Sequence, residues 1–249
     1  MDSETELFYL NTTDAYEVSD PIQHRLAYYV VKRIFDIVFS ALILLLLSPV
    51  MLVVAILVIL DSRGPAFFVQ SRVGAAMRRA NGKVTWEEKT FPCVKFRTMV
   101  TNSDPSIHQA YIKALINNDQ HTLATLQKGE TRVKKLIFDP RITRIGRFLR
   151  KSSLDELPQF WNVFKGDMSL VGPRPAIPYE VDLYKPWHHH RFEAKPGITG
   201  LWQVTARSSV DFDDMVRLDI KYIQEQSILF DLWIMLKTPF IILTQHGAV

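Results

Sequence analysis

The strongest chemical potential in this chain lies in two adjacent carboxylates, Asp155 and Glu156, in Ser152-Ser153-Leu154-Asp155-Glu156-Leu157-Pro158. Neighbouring acids can hold a divalent cation, and an ionised carboxylate can attack phosphorus. Proline is tolerated in the first turn of a helix, where its missing N–H has no partner in any case, so Pro158 predicts a helix starting between Leu154 and Glu156. Both acids would then sit at the positive end of that helix. Two readings follow. Ser153-x-x-Glu156 is a capping box, in which first-turn acids simply stabilise the helix. Alternatively, the helix start and nearby cations form a diphosphate site, where a carboxylate stays ionised.

The cations needed for the second reading are present. Val171-Gly172-Pro173-Arg174-Pro175 is a stiff turn presenting one guanidinium, the group suited to bidentate phosphate contact. Lys95 and Arg97, in Lys95-Phe96-Arg97-Thr98-Met99, add two more on a predicted strand. Asp139 to Lys151 carries Arg141, Arg144, Arg147 and Arg150 at intervals of three with apolar residues between. That is a basic amphipathic helix suited to a membrane surface or a phosphate-rich pocket. Adjacent helical residues point about 100° apart, so Asp155 and Glu156 need not share one task.

Other clusters are weaker. Asp211-Phe212-Asp213-Asp214 resembles a metal-binding DxD, but acids ahead of an apolar helix usually stabilise its start. His188, His189 and His190 are consecutive and cannot all face one ion, so they read as an exposed loop. Cys93 has no evident base partner and reads as a packing residue. A single cysteine excludes an internal disulfide framework and fits a reducing compartment.

These groups must be positioned by two kinds of structure. From Ile37 to Leu60, 24 residues carry no charge. As a helix they would extend about 36 Å, against a hydrocarbon core of roughly 30 Å. Ser48-Pro49 falls mid-run and should break the helix. Lys32 and Arg33 precede the run, and Arg63, Arg72, Arg78 and Arg79 follow it. Basic flanks favour the cytoplasmic side, so the expectation is a hairpin that enters and leaves one leaflet. A kinked single span is the alternative. The first 24 residues hold Asp2, Glu4, Glu6, Asp14, Glu17 and Asp20 without Lys or Arg, which is opposite to a secretory signal and reads as an acidic leader over residues 1–31.

After the hairpin (residues 32–61), residues 62–249 read as an α+β domain. Pro65–Gly74 and Val84–Val100, separated by Asn81-Gly82, predict a β-hairpin. Residues 105 to 128 read as helical but polar, a surface excursion. Phe230 to Leu243 is apolar but interrupted by Asp231, Lys237 and Pro239, and reads as an interfacial helix. The net charge of +4 suggests anionic neighbours, whether nucleic acid, phospholipid headgroups or phosphorylated substrates.

The motifs Lys32-Arg33-x-x-Asp36, Ser48-Pro49, Asp61-Ser62-x-Gly64-Pro65, Gln70-x-Arg72-x-Gly74 and Lys95 to Met99 resemble those of the bacterial sugar transferases, the monotopic phosphoglycosyl transferases. So do the block from Asp139 to Pro175, the stretch Pro196 to Val204, and Asp219-x-x-Tyr222; the likeness runs over about residues 32 to 240. The resemblance implies a re-entrant helix hairpin broken at Ser48-Pro49, on the cytoplasmic face of a bacterial plasma membrane. It implies transfer of a sugar 1-phosphate from a UDP-sugar to polyprenyl (undecaprenyl) phosphate, releasing UMP, as the first membrane step of surface glycan assembly. By that resemblance Asp155 is the nucleophile, Glu156 its assistant, and both stand close to Mg2+. Arg150 binds phosphate, and Pro173-Arg174-Pro175 positions the nucleotide. Membrane lipid is an expected partner and nucleic acid is not; downstream glycosyltransferases and a homo-oligomer are left open. The stretch from Asn102 to Phe138 is an insertion relative to small members. Two rival functions stand beside this one: a catalytically silent membrane scaffold of a glycan-assembly complex, and a conventional glycosyltransferase using Asp211 and Asp213.

Overall fold

The structure, a computed structural model, describes residues 25–80, 83–101, 103–127, 139–206 and 210–244. The acidic stretch 1–24 and the Asn81-Gly82 turn lie outside the described residues.

Two apolar helices come first, α1 (Leu26–Leu46) and α2 (Ser48–Asp61). Helix α1 starts at Leu26, so residues 26–31 are helical and continuous with the apolar run. Leu47 separates the two helices, whose axes bend by 62°. Pro49 sits in the first turn of α2, where it disrupts no hydrogen bond, and Ser48 Oγ donates to the carbonyl of Leu45 at 2.8 Å. The break is therefore an elbow between two helices. No single described helix is long and apolar enough to cross a membrane. Leu45, Leu46, Leu52 and Leu60 are each more than 60% exposed, which leaves both arms with wide apolar surfaces.

The few buried residues of α1 are its polar ones. Lys32 Nζ pairs with Asp231 at 2.7 Å, and Asp36 Oδ1 accepts from Leu170 N (2.9 Å) and Ser169 Oγ (3.1 Å). Arg33 donates to the carbonyls of Val163 (2.6 Å) and Phe164 (2.8 Å). Unpaired charges at an apolar surface are costly, so each residue ties α1 to a different element of the body.

That body is α+β, as expected. Strands β1 (Phe67–Ala80) and β2 (Lys83–Phe96) form a long antiparallel hairpin in which Arg72 faces Phe91, Gln70 faces Cys93 and Phe68 faces Lys95. Helices α3 (Ser106–Ile116) and α4 (Gln120–Leu126) follow. Next come α5 (Arg144–Ser152), a 3-10 turn (Leu154–Glu156) and α6 (Gln159–Lys165). The short strands β3 (Ser169–Val171) and β4 (Gly197–Thr199) pair in parallel. Between them lie α7 (Pro178–Val181) and a 3-10 helix (Pro186–Phe192). Helices α8 (Leu201–Thr205), α9 (Phe212–Glu225) and α10 (Ile228–Thr244) complete the fold. The main core joins Val163, Met168, Leu170, Leu218, Tyr222 and Ile234.

Three expectations need correction. Residues 105–128 are no polar excursion: Tyr111, Leu115, Ile116 and Leu123 bury against Phe212, Met215, Val216 and Ile220 of α9. Their apolar residues recur at helical spacing and make one buried stripe. The basic helix begins only at Arg144, because Arg141 is held in the preceding turn by Asp139 at 2.6 Å. Helix α10 is also more than interfacial, since Ile234 and Asp231 are buried in the body while Leu229, Leu236 and Phe240 are exposed.

Helix α6 is fixed to β2 by the buried Asn162, whose Nδ2 donates to the Pro92 carbonyl (2.7 Å) and whose Oδ1 accepts from Val94 N (3.0 Å). Asn162→Ala leaves both strand groups unpaired, so unfolding free energy should fall by about 1–3 kcal/mol for each group that water cannot reach. Chemical denaturation of the purified protein checks this, and an unchanged midpoint would contradict the bridge.

Candidate active site

Helix α5 is capped twice at its start. Thr143 Oγ1 accepts from Gly146 N (3.0 Å), and Asp61 at the end of α2 accepts from Ile145 N (3.0 Å). Gly146 lies so close to the Thr98 backbone that any Cβ would collide with it, which sets how tightly α5 sits on the chain leaving β2. At its far end Ser153 is left-handed (φ 57°) and reverses the chain into the 3-10 turn. Leu154 and Leu157 then pack with Val54, Val58, Phe96 and Leu149. The carboxylates therefore occupy a short turn between two helices, held on both sides by leucines.

The expected start at Leu154 is met by the 3-10 turn that holds both acids, but the α-helix itself starts later. Helix α6 begins at Gln159 with Pro158 at its N-cap, and Ser153 makes no side-chain cap. Without that side-chain bond from Ser153 the capping-box reading fails.

Glu156, Lys95, Arg174 and Pro175 line one cleft, together with Arg72, Cys93, Gln159, Gly197, Ile198 and Gln203. Lys95 Nζ donates to Glu156 Oε1 at 2.8 Å. Burial alone would raise the Glu156 carboxyl, but Lys95, Arg174 and Arg72 outweigh it and bring it down to about 2. Arg72 is buried; it donates to the Pro175 carbonyl (3.0 Å) and to Gln70 Oε1 (2.8 Å). Its Nε, and Oε1 of Gln203, are buried atoms with no hydrogen-bond partner among the described residues. Both belong to residues of the cleft wall. Arg174 is exposed, on a turn whose Pro173 carbonyl accepts from Gly197 N (2.8 Å). A Cβ on Gly172 would strike the Lys195 carbonyl, so the turn can pass this close to its neighbour only as glycine. Behind it, Arg191 donates to the Arg174 carbonyl (3.3 Å) and pairs with the buried Asp219 (2.6 Å).

Arg150 belongs to the same neighbourhood. Burial lowers its guanidinium from the ordinary value, against the pull of Asp155 and Asp139 and with the push of Arg174 and Arg141. Asp155 and Arg150 are thus within electrostatic reach of one another.

Arg97 stands apart and is a correction. The strand ends at Phe96, and the Arg97 guanidinium turns to the end of α2, donating to the carbonyls of Arg63 (2.9 Å), Val58 (3.1 Å) and Ser62 (2.5 Å). It caps that helix and does not line the cleft. Ser48 and Pro49 lie at the elbow of α1 and α2. The histidines form a 3-10 helix, and His188 is buried, not exposed as expected. His188 Nδ1 accepts from Lys185 N (3.1 Å), which leaves Nε2 to donate to Asp213 at 3.1 Å. His189 and His190 face Glu88 and Glu193 instead. Asp213 also pairs with Lys185 at 2.7 Å, and Asp214 with Arg217 at 2.7 Å. No group of three metal-ligating side chains occurs among the described residues.

Arg72, Gln159 and Gln203 were not singled out as site residues from the sequence. For Arg72 a signal existed: residues opposite each other in an antiparallel pair share a face, which puts Arg72, Cys93 and Lys95 on one side of the hairpin. Gln159 and Gln203 reach the cleft through tertiary packing and left no such signal.

The chain belongs to the bacterial sugar transferase family, whose model it matches over residues 27–245. It is 45% identical over 217 residues to undecaprenyl-phosphate galactose phosphotransferase of Salmonella typhimurium, covering 87% of this chain and 41% of that protein. It is 39% identical over 217 residues to UDP-galactose-lipid carrier transferase of Erwinia amylovora (87% and 41%). It is equally identical, 39% over 217 residues, to exopolysaccharide production protein ExoY of Sinorhizobium fredii, covering 87% of each chain. The chain therefore spans about two fifths of the length of the first two.

A depressed carboxyl stabilises the fold only while it is ionised. The contribution of Glu156 is complete above its ordinary value of 4.5 and is lost as pH falls through about 2. Lys95→Met removes the nearest cation and should raise the Glu156 carboxyl measurably in an NMR titration of labelled glutamate. It should also shift the acid-side loss of stability to higher pH. An unmoved titration would contradict the pairing.

Proposed function

We propose that this chain is a phosphoglycosyl transferase that moves a sugar 1-phosphate from a UDP-sugar to undecaprenyl phosphate and releases UMP. The observation that carries this reading is the gathering of Lys95, Arg72 and Arg174 around Glu156 in one cleft, with Asp155 and Arg150 beside it. Phosphoryl transfer asks for positioning and charge neutralisation more than for acid–base chemistry, and the cleft is rich in both. The printed names of the relatives, an undecaprenyl-phosphate galactose phosphotransferase and a UDP-galactose-lipid carrier transferase, supply the substrate classes.

In this reading Arg72, Arg174 and Arg150 bind the diphosphate. A carboxylate oxygen of Asp155 forms a bond to the sugar-bearing phosphorus, and the bond from that phosphorus to the bridging oxygen breaks. UMP leaves with the electron pair. A phosphate oxygen of the lipid acceptor then attacks the same phosphorus and frees Asp155, giving the lipid diphosphate sugar. Magnesium fits the donor set: Glu156 Oε1 is engaged by Lys95 while Oε2 has no partner among the described residues, and such an ion commonly takes one or two carboxylates with substrate phosphate oxygens. Glu156, with Asp155, would hold it, and it would supply further charge neutralisation.

The apolar elbow of α1 and α2 would enter and leave the cytoplasmic leaflet as a re-entrant pair, with exposed Phe148, Trp161, Trp233 and Phe240 at the same interface. The glycosyltransferase alternative is disfavoured by Asp213, which Lys185 and His188 already engage. The scaffold alternative leaves the unpartnered polar atoms of Arg72 and Gln203 without a purpose.

With Mg2+, undecaprenyl phosphate and UDP-sugars, the chain should release UMP, and Asp155→Asn should reduce that release by at least ~10³-fold. Release of UDP would support the glycosyltransferase alternative, and undiminished turnover of the variant would sink the mechanism. For topology, Cys93 is buried, so Ala15→Cys offers the reactive thiol. An impermeant reagent added outside intact cells should leave it unlabelled; labelling from outside would refute the re-entrant arrangement.

A further inference from the structure

The insertion that carries α3 and α4 has no part in the reaction above and does not line the cleft, yet its first helix is tied to the segment that follows Arg174 and Pro175. Asp104 Oδ1 accepts from Ser106 N (2.9 Å) at the start of α3, and the Asp104 carbonyl accepts from Arg141. Two residues into the helix, His108 Nδ1 lies 2.6 Å from Tyr179 Oη, with the rings edge to face at 6.2 Å. Tyr179 lies in the first turn of α7, four residues beyond Pro175, whose carbonyl holds Arg72. The His108–Tyr179 bond therefore joins the insertion to the segment that bears Arg174.

The charge around this pair decides what it can bind. Burial, followed by Arg174, Arg72 and Arg141, pushes the His108 imidazole down to about 4, so it is neutral at physiological pH. Burial likewise raises the Tyr179 phenol, which keeps its proton. A neutral imidazole adds no charge for a phosphate that three guanidiniums already serve. It is a good partner for a hydroxyl, which both donates and accepts. His108 is half-buried and Nε2 has no hydrogen-bond partner among the described residues. In either tautomer one ring nitrogen is left for a ligand.

We propose that His108, oriented by Tyr179, is a specificity-determining residue that hydrogen-bonds a hydroxyl of the donor's sugar ring. The insertion then supplies a sugar subsite next to the cleft whose Arg72 and Arg174 take the diphosphate. This rests on the transferase reading above. A site built to hydrogen-bond a hydroxyl discriminates strongly against substrates that misplace it, because its own polar group is left unpaired.

The test uses the full chain in detergent with Mg2+ and undecaprenyl phosphate, following UMP release from a panel of epimeric UDP-sugars. His108→Ala should raise KM for the preferred UDP-sugar and cut its preference over the other epimers, each about tenfold. Inhibition by free UMP should stay within about twofold. Tyr179→Phe should shift the same preference in the same direction to a smaller degree, and His108→Gln should restore part of it. Should His108→Ala lower the melting temperature, His108→Gln decides between the outcomes. Unchanged preference in these variants, or an equal loss for every sugar with weakened UMP inhibition, would overturn the assignment while leaving the transferase reading intact. A wild-type chain that releases no UMP from any UDP-sugar would instead overturn that reading, and this assignment with it.

Discussion

An apolar helix that carries Lys32, Arg33 and Asp36 cannot leave them against lipid or an apolar core without a large desolvation cost. Each must find a partner, and the three partners belong to three different parts of the body. Lys32 reaches Asp231 on α10, Arg33 reaches the carbonyls at the end of α6, and Asp36 reaches the backbone of β3. Two of those elements also lead into the site. Helix α6 follows directly on the carboxylate turn, and β3 runs into the turn that bears Arg174. The position of the cleft relative to α1 thus follows from satisfying three charges. The second arm contributes through packing, since Val54 and Val58 of α2 meet Leu149, Leu154 and Leu157 around the same turn.

Within the cleft, electrostatics makes the two carboxylates unequal. Glu156 is held as an anion by Lys95, Arg174 and Arg72, so its charge is already compensated by the cations of the cleft. Asp155 is within electrostatic reach of Arg150, whose guanidinium also feels the Asp139 and Arg141 pair. Unpartnered Arg72 Nε and Gln203 Oε1 add buried polar capacity that only a polar ligand or water would satisfy.

Much of this was legible in the residues. The α+β body, the long hairpin, the break at Ser48-Pro49 and the choice of Arg174 and Lys95 as cations to set beside Glu156 followed from turn chemistry, strand alternation and charge. What was not legible depended on tertiary partners. Arg97 reads like Lys95 because both are cations two residues apart on one face, but the strand ends between them and the helix end nearby claims its guanidinium. Ser153-x-x-Glu156 has the spacing of a capping box, yet a left-handed Ser153 turns it into a helix stop. The polar helices of the insertion hid a buried stripe because only a few of their residues face α9. His188 looked exposed among its neighbours, while its two ring nitrogens are both used internally.

The central claim, that Asp155 takes the phosphosugar covalently, is most directly tested by intact-protein mass spectrometry after incubation with a UDP-sugar and Mg2+ in the absence of lipid acceptor. The account predicts a mass increase of one sugar phosphate, mapped by fragmentation to Asp155 and discharged when undecaprenyl phosphate is added. An adduct on Glu156, or UMP release dependent on acceptor with no adduct at any stage, would contradict it.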